Sequence, residues 1–144
     1  MAIKIIGIHH QGIRINNEKQ SYTATHDFYT QVLGLTADEG RPYIPGVPGW
    51  WINVGEDAQI HLIGGPDPSP AAKRPDQDPA APHVALAVED IAETKAELER
   101  MGADFFMNNA VSPEFTQLFI KDPCGNLIEI HQADTCRCTV RNRV

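Results

Sequence analysis

The chain has 144 residues, of which 42% are hydrophobic, and its 19 acidic and 12 basic residues give a net charge of −7. This length predicts one compact domain or two small, tightly joined halves. The acidic surplus argues against nucleic acid as a partner, because phosphate binding requires a basic face. No apolar run approaches the length of a bilayer and the N-terminus is strand-like, so we expect no membrane association and no signal peptide. Three cysteines, an odd number, argue against a disulfide scaffold and favour a cytoplasmic location.

The first half of the chain is predicted to form a strand, a helix and three further strands. Residues 4–15 predict the first strand, and Ser21 is the predicted N-cap of a helix that ends at Gly34. Glycines and prolines break residues 35–48, which predicts a short second strand, and a hairpin is predicted for residues 50–63. The helix carries an apolar stripe at helical spacing, made of Tyr22, Phe28, Tyr29, Val32 and Leu33.

The second half repeats this order. A strand begins at His83, and Asp90 and Glu93 then form a predicted capping box that opens a helix. The helix ends at Gly102, and a strand, a loop and a final hairpin about residues 122–126 follow.

Between the halves, five prolines in residues 65–80 predict a surface linker. We therefore expect a first module of about residues 1–64 and a second of about residues 81–132, within a single domain of residues 1–132. Residues 133–144 are predicted to form a C-terminal tail. Its Cys136 and Cys138 are interpreted as part of a frayed end, with a weak metal tether as the alternative, and its arginines 137, 141 and 143 are expected to face solvent.

Four side chains that can bind metal ions lie in strand-like segments, two in each half. His83 shares a strand face with Ala85 and Ala87, and small residues beside a histidine line a space and do not fill a core. Glu129 lies in the middle of the last strand, where a buried carboxylate requires a positive partner. The four side chains are those of His10, His61, His83 and Glu129.

These positions recur at nearly constant spacing. His10 and His83 are 73 residues apart (83 − 10), and His61 and Glu129 are 68 apart (129 − 61). The spacing predicts two similar halves related by a pseudo-twofold axis, which would bring all four side chains to one concave surface. Three histidines and one carboxylate form a ligand set for a borderline divalent metal ion.

Other interpretations of these residues remain open at this stage. His83 and Glu129 could form a structural ion pair, and His61 could support the metal ligands without binding the metal. Strand parity favours His10 over His9, because Gly12 shares the face of His10 whereas Ile13 and Ile15 share the face of His9. His131 shares the face of Glu129 and could act as a supporting base, although a surface histidine is the simpler interpretation.

Together these segments resemble the vicinal oxygen chelate superfamily, also called the glyoxalase/bleomycin resistance/dioxygenase family. The resemblance covers about residues 3–131 and rests on five segments: Gly-Ile-His-His at 7–10, Phe-Tyr-Thr-Gln-Val-Leu-Gly-Leu at 28–35, Gln-Ile-His-Leu at 59–62, the strand 83–88, and residues 117–129 with Asp-Pro-Cys-Gly-Asn. It implies an α+β fold in which two βαβββ modules form a curved mixed sheet that cups a metal ion, and it implies a homodimer. The metal site could lie within one chain or across the dimer.

The resemblance places metal ligands at His10, His83 and Glu129, and adds His61 at a position where many members carry Glu or Gln. It implies a divalent-metal-dependent enzyme acting on a small oxygenated substrate. We interpret it as a glyoxalase I-like lyase or isomerase that stabilises an enediolate-type intermediate, with Glu129 and His61 as the catalytic residues. The alternatives are an Fe(II) extradiol-type dioxygenase and a drug-binding or thiol-transferase resistance protein. The same ligand set accepts one Mn, Fe, Co, Ni or Zn ion.

Overall fold

The computed structural model describes residues 2–15, 18–109 and 116–139, and these form eight strands and two helices. The first half comprises β1 (Ile5–Arg14), α1 (Lys19–Asp27), a π-helical turn (Phe28–Val32), β2 (Thr36–Ala37), β3 (Gly49–Val54) and β4 (Ala58–Ile63). The second half comprises β5 (His83–Val88), α2 (Ile91–Arg100), β6 (Phe105–Asn108), β7 (Gln117–Lys121) and β8 (Leu127–Gln132). Neither described helix is long and apolar enough to cross a bilayer.

All eight strands belong to one mixed sheet, in the order β2-β3-β4-β1-β5-β8-β7-β6. In each half, the first strand pairs in parallel with the fourth, and the two first strands, β1 and β5, pair antiparallel at the centre. The architecture is therefore α+β with two βαβββ modules, as the sequence predicts.

The pairing register relates the two halves residue by residue. Gly12 lies opposite His61 in the first module, and Ala85 lies opposite Glu129 in the second. Across the central pair, Gly12 lies opposite His83, and His10 lies opposite Ala85. Each first-strand histidine therefore faces the small residue of the other module, which leaves room for its ring.

The prediction that His9 lies on the opposite face from His10 is wrong. The β1–β5 register shifts between Ile8 and His10, so His9 is the extra residue of a β-bulge. A bulge breaks the alternation of side chains. His9 is consequently buried beside His131, with their ring centroids 5.0 Å apart, on the face that also carries Glu129.

The helices differ from each other in how they begin and in what they bury. α2 begins after the predicted N-cap residue, Asp90, whose Oδ1 accepts the Glu93 backbone N–H at 2.9 Å. α1 begins two residues before Ser21, after an N-cap at Glu18 whose side chain makes no capping bond, so the predicted Ser21 cap is wrong.

The main described core lies between α2 and the second half of the sheet. It is formed by Val88, Leu98, Leu118 and Ile130. By contrast, much of the predicted apolar stripe of the first helical segment is exposed: Val32 is 70% exposed, and Phe28 and Leu33 are each 48% exposed.

The prediction of a surface linker is wrong for part of residues 65–80. Asp78 is buried and accepts hydrogen bonds from the backbone N–H and the hydroxyl of Ser69, at 2.7 and 2.5 Å. Ala80 packs with Val47 and Ile63 in a second apolar cluster. This segment therefore forms part of the wall around the concave face of the sheet.

The N-cap at Asp90 yields a prediction about stability. Asp90→Ala should lower the free energy of unfolding by about 1 kcal/mol, because it removes the acceptor for one of the unpaired N–H groups at the start of α2. Ser21→Ala, which replaces a residue that is not a cap, should change it by less than about 0.5 kcal/mol. Urea unfolding followed by circular dichroism measures both values, and equal losses in the two variants would contradict the assignment.

Candidate metal centre

Three side chains converge at the joint between the two modules. His10 of β1 and His83 of β5 approach each other with 3.1 Å between their Nε2 atoms. Oε2 of Glu129 in β8 lies 3.1 Å from Nε2 of His10 and 3.0 Å from Nε2 of His83. All three residues are buried, and Glu129 is only 1% exposed.

The shape of this triangle fits a divalent cation. A cation about 2.1 Å from each of three ligand atoms, with bonds at right angles, separates those atoms by about 3.0 Å. The three observed edges of 3.0–3.1 Å match one triangular face of an octahedron, the arrangement of the two-histidine, one-carboxylate iron sites. Each atom can offer a lone pair to the same point.

Neighbouring groups orient His83 for this role. Its Nδ1 lies 2.7 Å from the carbonyl oxygen of Ala81, which can only accept, so Nδ1 carries the proton and Nε2 is free to bind a metal ion. The ring also lies against Gly12, where a Cβ atom would be 2.5 Å from Cε1 of His83. Only glycine at that position leaves space for the ring.

Glu129 is oriented by two amide side chains. Nε2 of Gln117 donates to Oε1 of Glu129 at 2.8 Å, and Nδ2 of Asn108 donates to Oε1 of Gln117 at 2.7 Å. The second bond fixes which end of the Gln117 amide faces the carboxylate. Oε1 is thereby occupied, and Oε2 remains for the two histidines. Both amides were missed at the sequence level, although Gln117 lies two residues from the buried Phe119, on the strand face paired with Glu129.

The three ionisable groups influence one another strongly. Burial acts to raise the pKa of Glu129, but the adjacent charges and hydrogen bonds of His10 and His83 hold it well below its ordinary value. Burial lowers the pKa of His10 despite the attraction of Glu129. For His83, burial is outweighed by the hydrogen bond and charge of Glu129, which raise the pKa. The carboxylate is thus ionised, and a proton prefers His83 to His10.

His61 lies beside this triangle, and it belongs to a different ligand group. Its ring stacks between His10 and Trp51, with centroid distances of 3.8 and 4.4 Å. Among the described residues, the convergent group of His10, His83 and Glu129 does not include His61, which instead groups with His10 and Cys138. The role of His61 as a metal ligand stays a prediction.

A chain of hydrogen bonds sets the tautomer of His61. Gln59 Nε2 donates to Asp38 Oδ2 at 3.2 Å and to Asn53 Oδ1 at 2.8 Å, so Oε1 of Gln59 faces His61 Nε2 at 2.9 Å. That oxygen can only accept, which places the proton of His61 on Nε2 and leaves Nδ1 with a lone pair. Burial, reinforced by the nearby His10, holds the pKa of His61 well below its ordinary value. His61 is therefore a neutral imidazole at physiological pH.

The described part of the C-terminal tail packs against the site, so the prediction of a frayed end is wrong for Cys136 and Cys138. Cys138 is 1% exposed, and its Sγ lies 3.4 Å from Nδ1 of His10. Sγ of Cys136 lies 3.4 Å from Nδ1 of His9. His131, expected at the surface, is buried against His9. The pKa of Cys136 is lowered to about 4, chiefly by its hydrogen bond with Cys138, with burial opposing and His9 adding to the shift.

Arg137 fixes this segment, and its predicted exposure to solvent is also wrong. Its Nε and Nη2 donate to the two carboxylate oxygens of Asp38 at 2.8 and 2.7 Å. The guanidinium lies directly over Gly40, where a Cβ atom would collide with it. Arg141 and Arg143 lie outside the described residues. We call the Arg137–Asp38 pair the tail clamp.

The tail, the linker and the sheet together border a cavity of about 360 Å³ above the triangle. Its wall away from the candidate ligand atoms is mainly apolar and includes Ile44, Val47, Ile63, Ala71, Pro79 and Ala80. Arg41 also lines it, and its buried Nε has no hydrogen-bond partner among the described residues. The cavity is thus partly open to solvent, mostly apolar and positively charged at Arg41.

Among the tryptophan, tyrosine and phenylalanine side chains that the structure describes, only Trp51 lines this cavity. Trp50 packs on Tyr22, Phe105 packs against the α2 core, and Phe106 stacks on Phe119. Tyr43 is 86% exposed, and Phe115 lies outside the described residues.

The tail clamp yields a prediction about the reactivity of Cys138. Charge-assisted hydrogen bonds contribute about 1.5–3 kcal/mol each. Asp38→Asn should therefore speed the reaction of Cys138 with 4,4′-dithiodipyridine by about tenfold or more. Arg74→Ala, which removes an exposed ion pair with Asp76, is the control and should leave the rate unchanged. An unchanged rate in Asp38→Asn would show that the clamp does not retain the tail.

Acidification should act in the same direction as Asp38→Asn. Burial acts to raise the pKa of Asp38, but the hydrogen bond from Arg137 and further donors lower it below the ordinary value. A depressed pKa means that the clamp is intact above the ordinary aspartate pKa and is lost as the pH falls through the depressed value. Over that acidic range, the rate at which Cys138 of the wild type reacts with 4,4′-dithiodipyridine should rise toward the rate of the Asp38→Asn variant measured at the same pH.

Comparison with known proteins agrees with this architecture. The family model of the Glyoxalase/Bleomycin resistance protein/Dioxygenase superfamily matches residues 8–130. No curated protein matches the sequence.

Several solved structures share the fold. A hypothetical protein from Bacillus halodurans C-125 is 22% identical with a TM-score of 0.64, over 92% of this chain and 96% of that one. Methylmalonyl-CoA epimerase from Mycobacterium tuberculosis is 22% identical with a TM-score of 0.65, over 92% and 91% of the two chains. A variant of the Streptomyces coelicolor epimerase, in complex with 2-nitronate-propionyl-CoA, is 15% identical with a TM-score of 0.65, over 92% and 100%.

At these identities the similarity to solved structures establishes the fold alone, whereas the family model covers most of the sequence. The paired βαβββ modules and the matched residues 8–130 lead to one assignment: the chain belongs to the Glyoxalase/Bleomycin resistance protein/Dioxygenase superfamily.

Proposed function

We propose that this protein is a divalent-metal-dependent enzyme of the glyoxalase I-like lyase or isomerase type, with His10, His83 and Glu129 as the metal ligands. The observation that carries the proposal is a neutral base, His61, stacked on one corner of a triangle of lone-pair atoms that fits a divalent cation. This pairing suits proton transfer at a carbon next to a carbonyl group, through an enediolate-type intermediate.

Each part of the site has a separate role in the proposed reaction. A bound cation would act as a Lewis acid toward the negative charge that develops on the substrate oxygens. His61 would take a proton through Nδ1, because Nε2 is already committed to Gln59. Glu129 remains the alternative base. The mainly apolar wall would exclude water, and Arg41 would attract an anionic group on the substrate. The methylmalonyl-CoA epimerases that share this fold are isomerases by name, which is consistent with this class.

A second candidate is an Fe(II) extradiol-type dioxygenase. The right-angled geometry of two histidines and one carboxylate favours it, because it leaves positions for a catechol and for oxygen. His61 would then serve as an acid or base. Oxygen uptake on a panel of catechols with Fe(II), without proton exchange on carbonyl compounds, would favour this candidate over the isomerase.

The metal ligands can be tested directly. His83→Ala and Glu129→Gln should each lose about one equivalent of bound divalent metal, because each removes a corner of the triangle. Plasma mass spectrometry of the purified, dialysed variants measures the loss. His26→Ala, which removes a histidine on α1, is the matched control and should retain the wild-type content. Wild-type metal content in Glu129→Gln would contradict the ligand assignment.

The base can be separated from the ligands with two substitutions at His61. His61→Phe should retain stacking and bound metal but lower proton exchange by about 10²–10⁴-fold, the usual contribution of a positioned base. Exchange of carbon-bound hydrogen into deuterated water, followed by NMR on hemithioacetals and 2-carboxyacyl thioesters, measures this rate. Metal loss in His61→Phe, restored in His61→Gln, would identify His61 as a ligand. Full exchange in His61→Phe would exclude it as the base.

We further propose that two copies of the chain form a homodimer. Ile5, Ile6 and Ile8 of β1 are 42–62% exposed, and residues 5–9 of β1 pair only with β5 among the described strands. Such an open, apolar strand segment is unusual at a free surface. A second copy would cover it, together with the exposed apolar residues that follow α1.

Analytical ultracentrifugation tests this arrangement. Ile8→Glu should convert a dimer to a monomer at micromolar concentration, because it places a charge in the covered surface. Met101→Glu changes a comparably exposed apolar residue at the end of α2, outside both segments, and should leave the dimer intact. A monomeric wild type would refute the proposal.

A further inference from the structure

A second group of metal-binding side chains lies next to the triangle, and the proposed reaction does not use it. It consists of His9 on the bulge of β1 and of Cys136 and Cys138 on the tail. One ligand atom of each lies within 4.8 Å of the other two. The bulge and the tail thus bring together residues that are more than 120 positions apart in the sequence.

The burial and the geometry of these three side chains fit a metal-binding site. His9 and Cys138 are buried, and Cys136 is partly buried. The Nδ1 atom of His9 lies 3.4 Å from Sγ of Cys136, close to the roughly 3.5 Å that separates nitrogen and sulfur ligands around a tetrahedral zinc ion. The backbone N–H of Cys138 donates to Sγ of Cys136 at 3.2 Å. Such a bond orients a sulfur ligand and stabilises its charge.

We propose that His9, Cys136 and Cys138 bind a thiophilic cation, Zn²⁺ or Cu⁺, at a site separate from the His10–His83–Glu129 triangle. Two sulfurs and one imidazole select such an ion, whereas the triangle offers only nitrogen and oxygen. Three protein ligands leave one position for water or for a further group.

A competing grouping combines Cys138 with His10 and His61. It provides one sulfur instead of two, and it would require His10 to bridge two cations through both ring nitrogens. In the grouping that we propose, His10 uses only Nε2 for the triangle. Its Nδ1 then donates to the Cys138 sulfur, 3.4 Å away. The second site would therefore also fix the tail over the cavity.

Cobalt substitution tests the proposal without reference to catalysis. Co²⁺ bound by thiolates absorbs in the near ultraviolet through sulfur-to-metal charge transfer, which nitrogen and oxygen ligands do not produce. Metal-depleted, fully reduced wild-type protein titrated with Co²⁺ should develop this band with about one equivalent. Glu129→Gln should retain the band, so that failure of the triangle is distinguishable from failure of the second site.

Three substitutions locate the ligands. Cys136→Ser and Cys138→Ser should each abolish most of the band, and His9→Asn should weaken cobalt binding at this site. Cys124→Ser removes the exposed cysteine in the β7–β8 turn and is the matched control, with an unchanged band expected. NMR of the wild type loaded with ¹¹³Cd gives an independent readout, since its chemical shift reports two sulfur ligands even if a variant fails to fold.

The proposal is overturned if reduced wild-type protein shows neither the cobalt band nor a two-sulfur cadmium signal. It is equally overturned if the band persists in the Cys136→Ser/Cys138→Ser double variant, or if these two cysteines remain joined as a disulfide in millimolar glutathione.

Discussion

The structure depends on the burial of one carboxylate, that of Glu129. An unpaired carboxylate at this depth would cost several kcal/mol, a large share of the net stability of a domain, which is about 5–15 kcal/mol. Its compensation comes from His10 and His83, which belong to two other strands, and from the amide of Gln117 on a third. The charge therefore couples both modules at their central strand pair. A cation bound at the triangle would strengthen this coupling, because the lone-pair atoms of His10, His83 and Glu129 already converge on one point.

The joint between the modules can hold such a site because it is lined by small residues. Gly12 and Ala85 occupy equivalent positions in the two central strands, opposite His61 and Glu129, respectively, in the fourth strand of each module. Gly12 admits the ring of His83, and any larger residue would displace it. The pseudo-twofold relation places two imidazoles, those of His10 and His83, from equivalent first-strand positions around one point. The equivalent fourth-strand positions carry different residues, His61 and Glu129.

How far the sequence predicted this arrangement follows from the range of the interactions. Alternation along strands and the 73-residue repeat depend on local geometry, and they led to His10, His61, His83 and Glu129 as a group. The structure brings three of these together in one ligand group and leaves His61 beside it. The bulge at His9 interrupts that alternation, and nothing local in the sequence reveals it. Arg137 meets Asp38 across 99 residues of chain, so the packing of the tail depends on the completed fold. The apolar stripe after α1 was recognised by its spacing, but spacing does not say which surface covers it.

His10 lies between the two candidate metal-binding groups, the triangle and the group that contains Cys136 and Cys138. Its Nε2 faces nitrogen and oxygen atoms, whereas its Nδ1 faces the sulfur of Cys138. A histidine that binds a metal ion through one nitrogen becomes a better ligand when the other nitrogen donates to an anion, and a thiolate would provide that anion. Arg137 lies between Cys136 and Cys138 and is bound to Asp38, which also orients Gln59 and through it His61. The tail therefore reaches both the proposed metal ligand and the proposed base. Release of the tail would remove contacts that orient both His10 and His61. This segment therefore positions residues of the site in addition to covering it.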